Sequence, residues 1–381
     1  MGPNAPFSAA VVGGSVGGLA AAIELRDRLQ ADVAVYERST GQMQARGAGV
    51  VMQPEVDALL SRIGVSTRSV CVELRERVGL ALDGRAQASP APQLMTAWDT
   101  LYRTLKTHLG GDCYHQNSRL TALSQDQHRI TATLADGHSV SADILIAADG
   151  VNSAARHLLL GANADARYTG YVAWRGLEDE AALPPVLVDA LAGRFTSFMH
   201  PGMQMLCYLV PGADGATEPG QRRVNWVWYV NTPEVALDRY LTGASGTRYR
   251  SFLPADDMDM NVAEEMAETA ARTLPPLFRD LVEASRLFMQ PVQDVVPQAR
   301  IHGRAVLIGD AAGTVRPHTA AGTSKAFGDA TLLAEALKDW RSEDALSTDI
   351  LDRWAAIRDR DLQVTAQRGY ALAARSGLGR A

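Results

Sequence analysis

The chain has 381 residues, 46% of them hydrophobic and 21% charged, with a formal net charge of −6. That length allows one large or two ordinary domains, and the absence of a basic excess argues against a nucleic-acid partner, since nothing is available to displace phosphate counterions. Cys71, Cys113 and Cys207 lie far apart with no CxxC. A disulfide framework, a zinc site and a redox dithiol are therefore poorly supported, and no metal is expected. No apolar run approaches the ~20 residues of a membrane span, and the first strand begins by Ser8, so a cytoplasmic protein is expected.

The stretch VVGGSVGGLAAAIELRDRLQADVAVYE, residues 11–37, carries the first informative pattern. Ala9–Val12 reads as a buried strand, Val16–Leu29 as a helix with Leu19, Ala22 and Ile23 on one face, and Asp32–Tyr36 as a second strand. Gly13 permits the tight strand-to-helix turn and Gly18 lets the helix pack closely on the strand. Ser15 stands where such a cradle has its middle glycine. It is small enough to admit a pyrophosphate at the positive end of the helix beginning at Val16, and its hydroxyl can donate to a phosphate oxygen. Glu37 follows at the spacing of an acid that grips ribose hydroxyls. The pattern reads as a dinucleotide cradle, with a glycine-rich turn of another α/β protein as the alternative. By itself it does not separate FAD from NAD.

Further along, Arg46–Pro54 reads as a loop, Glu55–Ile63 as a helix, and residues 70–90 as strands leaving the first domain. A helix is expected over 98–109. Asp136-Gly137 marks a hairpin between Arg129–Leu134 and His138–Ala142, and 142–160 reads as strand, turn and helix. Residues 168–290, with Trp174, Trp226, Trp228, Tyr171, Tyr208 and Tyr229 and short β-like runs, read as an antiparallel sheet whose Gly212–Gly220 segment is an exposed hairpin loop. A helix is expected at Val262–Thr273. Residues 303–337 return to strand, glycine-rich loop and long helix, and Asp349–Ala374 to a charged helix. No second glycine fingerprint is present, so any nicotinamide must bind transiently elsewhere.

Three segments together resemble the class A FAD-dependent monooxygenases, the single-component aromatic hydroxylases. They are the fingerprint through Glu37-Arg38, the run Asp149-Gly150-Val151-Asn152-Ser153-Ala154-Ala155-Arg156 that fits DGxxSxxR, and Gly309-Asp310-Ala311-Ala312 followed by Pro317 and Gly322. Their order covers nearly the whole chain. The resemblance implies an α/β Rossmann-like FAD-binding domain interleaved with an antiparallel β-sheet substrate domain, closed by a C-terminal helix. FAD-binding parts are expected at 1–70, 98–167 and 292–340, substrate-domain strands at 71–97 and 168–291, and the helical segment at 341–381.

The same resemblance implies roles. Gly13, Ser15, Val16, Gly18, Glu37 and Arg38 would hold the FAD adenosine diphosphate, with Leu120 reaching the adenine through its backbone. Gly49 and Val50 would lie against the isoalloxazine, Asp149 near flavin and pyrophosphate, and Asp310 on the ribityl chain. Ala320, Ala321, Gly322 and Thr323 would present a helix N-terminus to the flavin pyrimidine edge, where negative charge appears on reduction. Arg156 would be available to the phosphates of NADH or NADPH. The loop Arg316-Pro317-His318 would pass over the substrate face, with His318, titratable near neutrality, accepting the substrate's hydroxyl proton. His200, Tyr208, Trp226 and Trp228 are candidates for the substrate pocket, core packing being the alternative for each, and Arg175 for orienting an anionic substrate. The sequence departs from the family pattern at Ser15, at Trp98 (where a contact is either lost or taken over by Arg103), at Gly313 and at Lys325.

The reaction so implied begins with reduction of FAD by NADH or NADPH. Oxygen then adds to give a flavin C4a-hydroperoxide, whose distal oxygen passes to an electron-rich carbon of a small aromatic or N-heteroaromatic ring of the hydroxypyridine or phenol type. A larger natural-product scaffold, oxidative decarboxylation of a hydroxybenzoate, and a non-catalytic flavin-binding redox sensor stay open as alternatives. A homodimer is expected at family level.

Overall fold

The computed structural model describes residues 6–41, 49–296, 299–342 and 348–379. Residues 46–48 of the loop expected at 46–54 lie outside them. Ser8–Val12 is fully buried and runs parallel to Asp32–Tyr36 on one side and Ile144–Ala147 on the other. Ala305–Leu307 continues that parallel sheet beyond Ile144–Ala147, and short strands at Ile301–His302 and Tyr114–His115 complete six. Strands buried on both faces are expected to be nearly all apolar, and ILIA and AVL are.

The helix Val16–Leu29 packs on this sheet through Leu19, Ile23 and Leu25, in one core with Phe327 and Leu333 of the helix Gly322–Ala336. A Cβ on Gly17 would stand 3.2 Å from the Ala326 Cβ, so the two helices approach where one of them lacks a side chain. Gly18 is tighter. An added Cβ would fall 1.8 Å from the Gly13 carbonyl oxygen, a separation that no side chain tolerates.

The second sheet has eight strands, in the order Phe288–Asp294, Arg167–Asp179, Arg223–Asn231, Met203–Val210, Arg194–His200, Val72–Leu80, Ala86–Ala97, Gly49–Val51. Its pairs are antiparallel except for Arg194–His200 on Val72–Leu80. The strands expected within 70–90 are thus part of this sheet, and the loop expected at Gly212–Gly220 does join two of its antiparallel neighbours. A three-stranded sheet formed by Leu120–Gln125, Ile130–Leu134 and Ser139–Ala142 sits beside the parallel one. The helix Thr348–Arg375 closes the chain.

Alternation along the large sheet corrects one expectation. Trp174, Trp226 and Trp228 share a parity with Met205 and Met289, and all five are buried in the core that this sheet forms with the helices Met260–Thr273 and Pro276–Glu283. Successive strand residues point to opposite faces, so Trp226 and Trp228 cannot also line a pocket on the other side. His200 is excluded for a different reason: it lies at the exposed end of its strand, stacked on Phe198.

Candidate functional site

The three motif segments converge on one chamber of about 900 Å³. Gly13, Ser15, Val16 and Gly17 line it from the first turn, Glu37 and Arg38 from the end of the second strand, and Leu120 from the small sheet. Asp149, Gly150, Asp310, Gly322 and Thr323 complete the wall. Ser15 is the N-cap of its helix in extended conformation, and its side chain makes no capping bond. Its hydroxyl is therefore uncommitted, beside the N–H groups that open a 14-residue helix. Gly18 forms the packing beneath the turn instead of the wall. Glu37 accepts from the N–H of Gly14 and of Ser39, both at 2.8 Å, which fixes its carboxylate at the chamber edge.

Two features of the chamber wall fit a dinucleotide with sugar hydroxyls. The Asp149 Oδ2 accepts from the Ala155 N–H at 3.1 Å, while its buried Oδ1 has no partner. Burial holds this carboxyl above the usual range despite bonds from Ser153 and Ala155. An orphaned acceptor of this kind is costly until a donor reaches it. Asp310 stands at the end of the strand Ala305–Leu307 with its side chain 46% exposed, open to the same space.

The turn that presents Asp310 is fixed from behind. Asp329, fully buried, accepts from the Gly309 N–H at 2.9 Å and pairs with Arg300 at 3.2 Å and Arg358 at 2.6 Å. Lys325, also buried, donates to the Gly313 carbonyl at 2.8 Å and stands 3.5 Å from Asp310. Gly309 has φ +57°, the left-handed region that glycine takes without strain. Ala320 takes φ +53° in the turn before the helix Gly322–Ala336, and Ala321 caps that helix. The chamber wall takes Gly322 and Thr323 from this segment, with Ala320 and Ala321 preceding it.

A second cavity, of about 1440 Å³, meets the first at Arg38, Val151, Arg250, Ser251 and Asp310. One wall is the large sheet: Ala173, Arg175 and Leu177 from one strand, Tyr229 from its neighbour, and Phe288, Gln290 and Val292 from the other. These residues have the opposite parity to the buried tryptophans. Pro317 closes one side, with Thr314 and Val315. Arg103 lines this cavity and donates to the Ala213 carbonyl, whereas Trp98 lines the dinucleotide chamber, so Arg103 does not take over a contact there. Arg250 and Ser251, which line both spaces, carry no sequence signal, because they sit in an irregular segment far from every motif.

Several expected roles do not survive the geometry. Arg156 is fully buried and donates to the carbonyls of Ala164 at 2.8 Å, Ala311 at 3.0 Å and Val151 at 2.5 Å. It ties the second motif to the third, and its burial keeps it out of reach of a nicotinamide phosphate. Arg316 pairs with Asp294 at 3.0 Å and covers the rings of Tyr171 and Tyr370, away from the described cavity wall. His318 has its Nδ1 on Gln204 Oε1 at 2.8 Å and its Nε2 on the Tyr171 hydroxyl at 3.1 Å. Burial, helped by the nearby Arg316 charge, pushes its pKa down to about 4. A histidine with both nitrogens engaged and no place on the described cavity wall is not a base for a substrate there. Tyr208 is buried beneath Gly49, whose added Cβ would stand 2.3 Å from the Tyr208 Cε2. Gly49 and Val50 belong to the edge strand Gly49–Val51, where the Gly49 N–H donates to Asn225 at 3.0 Å. The glycine at 49 is thus required by a tyrosine ring, whatever lies on its other side.

A glycine-cradled dinucleotide chamber opens here onto a separate cavity walled by a β-sheet, the layout of an enzyme that keeps a dinucleotide cofactor beside its own substrate room. Residues 7–175 match the FAD binding domain family and residues 168–294 an FAD binding domain-like family. The 2,6-dihydroxypyridine 3-monooxygenase of Paenarthrobacter nicotinovorans is 36% identical over 330 residues, 86% of this chain and 81% of that protein. The 6-hydroxynicotinate 3-monooxygenase of Bordetella bronchiseptica is 27% identical over 85% of this chain and 81% of that one. The solved structure of 2,6-dihydroxypyridine-3-hydroxylase from Arthrobacter nicotinovorans superposes with a TM-score of 0.91 at 32% identity, covering 99% of this chain and 94% of that chain. Klebsiella pneumoniae HpxO, solved with FAD and uric acid, shares the fold at a TM-score of 0.75 and 22% identity, over 97% of this chain and 89% of that chain. The chain belongs to the flavin hydroxylase family: it is a single-component, FAD-dependent aromatic monooxygenase that uses NAD(P)H and O2. Among the described residues no helix is long and apolar enough to cross a membrane.

Proposed function

We propose that the enzyme hydroxylates a small hydroxylated N-heteroaromatic ring of the hydroxypyridine type. The observation that carries this reading is the composition of the sheet wall. Ala173, Leu177, Phe288 and Val292 offer an apolar bed for a flat ring, and among them stand the polar groups of Arg175, Gln290 and Tyr229. A plain hydrocarbon would leave those groups without partners, while a ring bearing oxygen or nitrogen at its edge satisfies them. The 2,6-dihydroxypyridine and 6-hydroxynicotinate enzymes named above support the same ring chemistry.

FAD, when bound, supplies the redox chemistry: it takes a hydride from NAD(P)H and activates oxygen. The residues of this chain do the rest. Ser15 and the helix start at Val16 would hold the pyrophosphate, Glu37 a ribose, and Asp149 and Asp310 further hydroxyls, with the helix N-terminus at Gly322 offering its free N–H groups to the cofactor. Pro317, Val315 and the apolar part of the sheet wall would shield a ring seated against them from water. The reading includes a cytoplasmic site, supported by three unbridged cysteines, and a homodimer, supported by the exposed Ile350, Ile357 and Val364 of the C-terminal helix.

The test is reduction of the bound flavin by NADH and by NADPH, followed first without oxygen and then with oxygen admitted, with and without members of a panel of hydroxypyridines, phenols and hydroxybenzoates. A hydroxypyridine that accelerates reduction and couples it to oxygen insertion supports the reading. Acceleration by a hydroxybenzoate with release of carbon dioxide overturns it.

A further inference from the structure

One cation on the cavity wall has donors left over. Arg175 projects from the strand Arg167–Asp179 on the face it shares with Ala173 and Leu177. Its Nε is buried with no hydrogen-bond partner, and its Nη1 reaches Gln290 Oε1 only at 3.4 Å. Of the cavity's other arginines, Arg223 pairs with Asp99 at 2.8 Å, Arg286 pairs with Asp256 and Arg103 donates to the Ala213 carbonyl, while Arg38 and Arg250 line the dinucleotide chamber as well. Beside Arg175 are the ring of Phe288, whose centroid lies 6.0 Å from the guanidinium, and the buried Tyr229. A guanidinium stays charged at every working pH, and one left short of acceptors against an apolar wall is a poor arrangement unless a ligand supplies the oxygen.

We propose that Arg175, with the Gln290 carboxamide beside it, binds a ring oxygen of the substrate in its ionised form and so selects the pyridinolate over the neutral ring. This rests on the hydroxylation reading above and adds to it the charge state of the substrate. The proton leaves to solvent before binding, and no side chain acts as its base. That accounts for a cavity beside which His318 is turned into Gln204 and Tyr171. Ionisation also raises the electron density of the ring carbon that is attacked. Other titratable groups near this space do not mimic the effect. Burial keeps the Tyr208 and Tyr229 hydroxyls protonated, their pKa values raised in spite of the Arg175 charge. Glu178 accepts from the Arg286 N–H at 2.7 Å, Asp179 also lines the cavity, and Asp310 is shared with the dinucleotide chamber.

The experiment titrates the FAD-loaded enzyme by the change in flavin absorbance. Its two probes are 2,6-dihydroxypyridine and 2,6-dimethoxypyridine, which has the same ring and cannot ionise. The wild type is expected to bind the first more tightly as pH rises through that probe's own pKa, and the second without pH dependence. Arg175→Met is expected to weaken the ionisable probe by about 10- to 100-fold and remove its pH dependence, leaving the dimethoxy probe within about twofold. Arg175→Lys should recover part of the loss, and Gln290→Leu should show a smaller weakening with the pH dependence intact. FAD content and melting temperature, measured alongside, report folding, and if Arg175→Met does not fold, Arg175→Gln, which also removes the charge, carries the same comparison. An Arg175→Met or Arg175→Gln enzyme that keeps the wild-type preference for the ionisable probe, with its pH dependence, overturns this inference alone. A wild type that holds FAD and binds neither probe overturns the hydroxypyridine reading and this inference with it.

Discussion

The ammonium of Lys325 donates to the carbonyl of Gly313 at 2.8 Å, joining the first turn of the helix Gly322–Ala336 to the end of the turn that presents Asp310. Both residues are buried, and the Asp310 carboxylate is 3.5 Å from the same ammonium. Lys325→Met keeps the length of the side chain and deletes the donor. We expect a loss of about 2 kcal/mol in stability, because a buried carbonyl loses its partner, together with weaker retention of FAD. Thermal unfolding and fluorescence titration with FAD measure the two. Unchanged FAD affinity would show that the turn holds its shape without this bond.

Gly49 tests a contact that sequence reasoning assigned to the cofactor. Since a Cβ there would lie 2.3 Å from the Tyr208 ring, Gly49→Ala should destabilise the protein by about 1–3 kcal/mol. Adding Tyr208→Leu should recover much of this, giving a non-additive double-mutant cycle. Strict additivity in chemical denaturation would mean that the tyrosine is not what excludes the side chain.

Arg156 is expected to be a fold determinant. Arg156→Gln leaves at least two of the three carbonyls, of Val151, Ala164 and Ala311, without their charged donor, for a cost of about 3 kcal/mol or more. The soluble fraction should melt earlier and lose FAD more readily. The KM for NADH or NADPH in FAD-saturated enzyme should stay near the wild-type value, and a selective rise in that KM with unchanged melting would restore the phosphate-binding role.

His318 gives a pH signature of stability instead of catalysis. Its pKa near 4 in the folded chain lies below the ordinary value near 6.5, so between those limits the unfolded chain binds more protons. This histidine therefore contributes stability that is complete above about 6.5 and declines as pH falls toward about 4. His318→Gln should flatten that acid-side decline in melting temperature and leave the pH profile of kcat/KM in place. Loss of a kcat/KM inflection in the variant would return His318 to the role of base.

What the sequence by itself determined were the features that rest on neighbours in the chain. The strand, turn and helix from Ser8 to Leu29 follow from apolar periodicity and from glycines whose conformations are local. Glu37 directly follows the strand Asp32–Tyr36 and Asp310 lies in the turn just after the buried strand Ala305–Leu307, so their positions at a chamber rim followed once the strands were recognised. The direction of side chains was decided by tertiary structure. His318 finds its acceptor on Gln204, 114 residues away, Arg156 reaches Ala311, 155 residues away, and Arg316 turns to Asp294. Trp226 and Trp228 went to the core by strand register, which fixes both faces of a strand at once while leaving to packing the choice of which face is buried. A residue type announces which bonds it can make; only the folded chain decides which partner arrives first, and here the partners for those cations and that imidazole came from the protein itself.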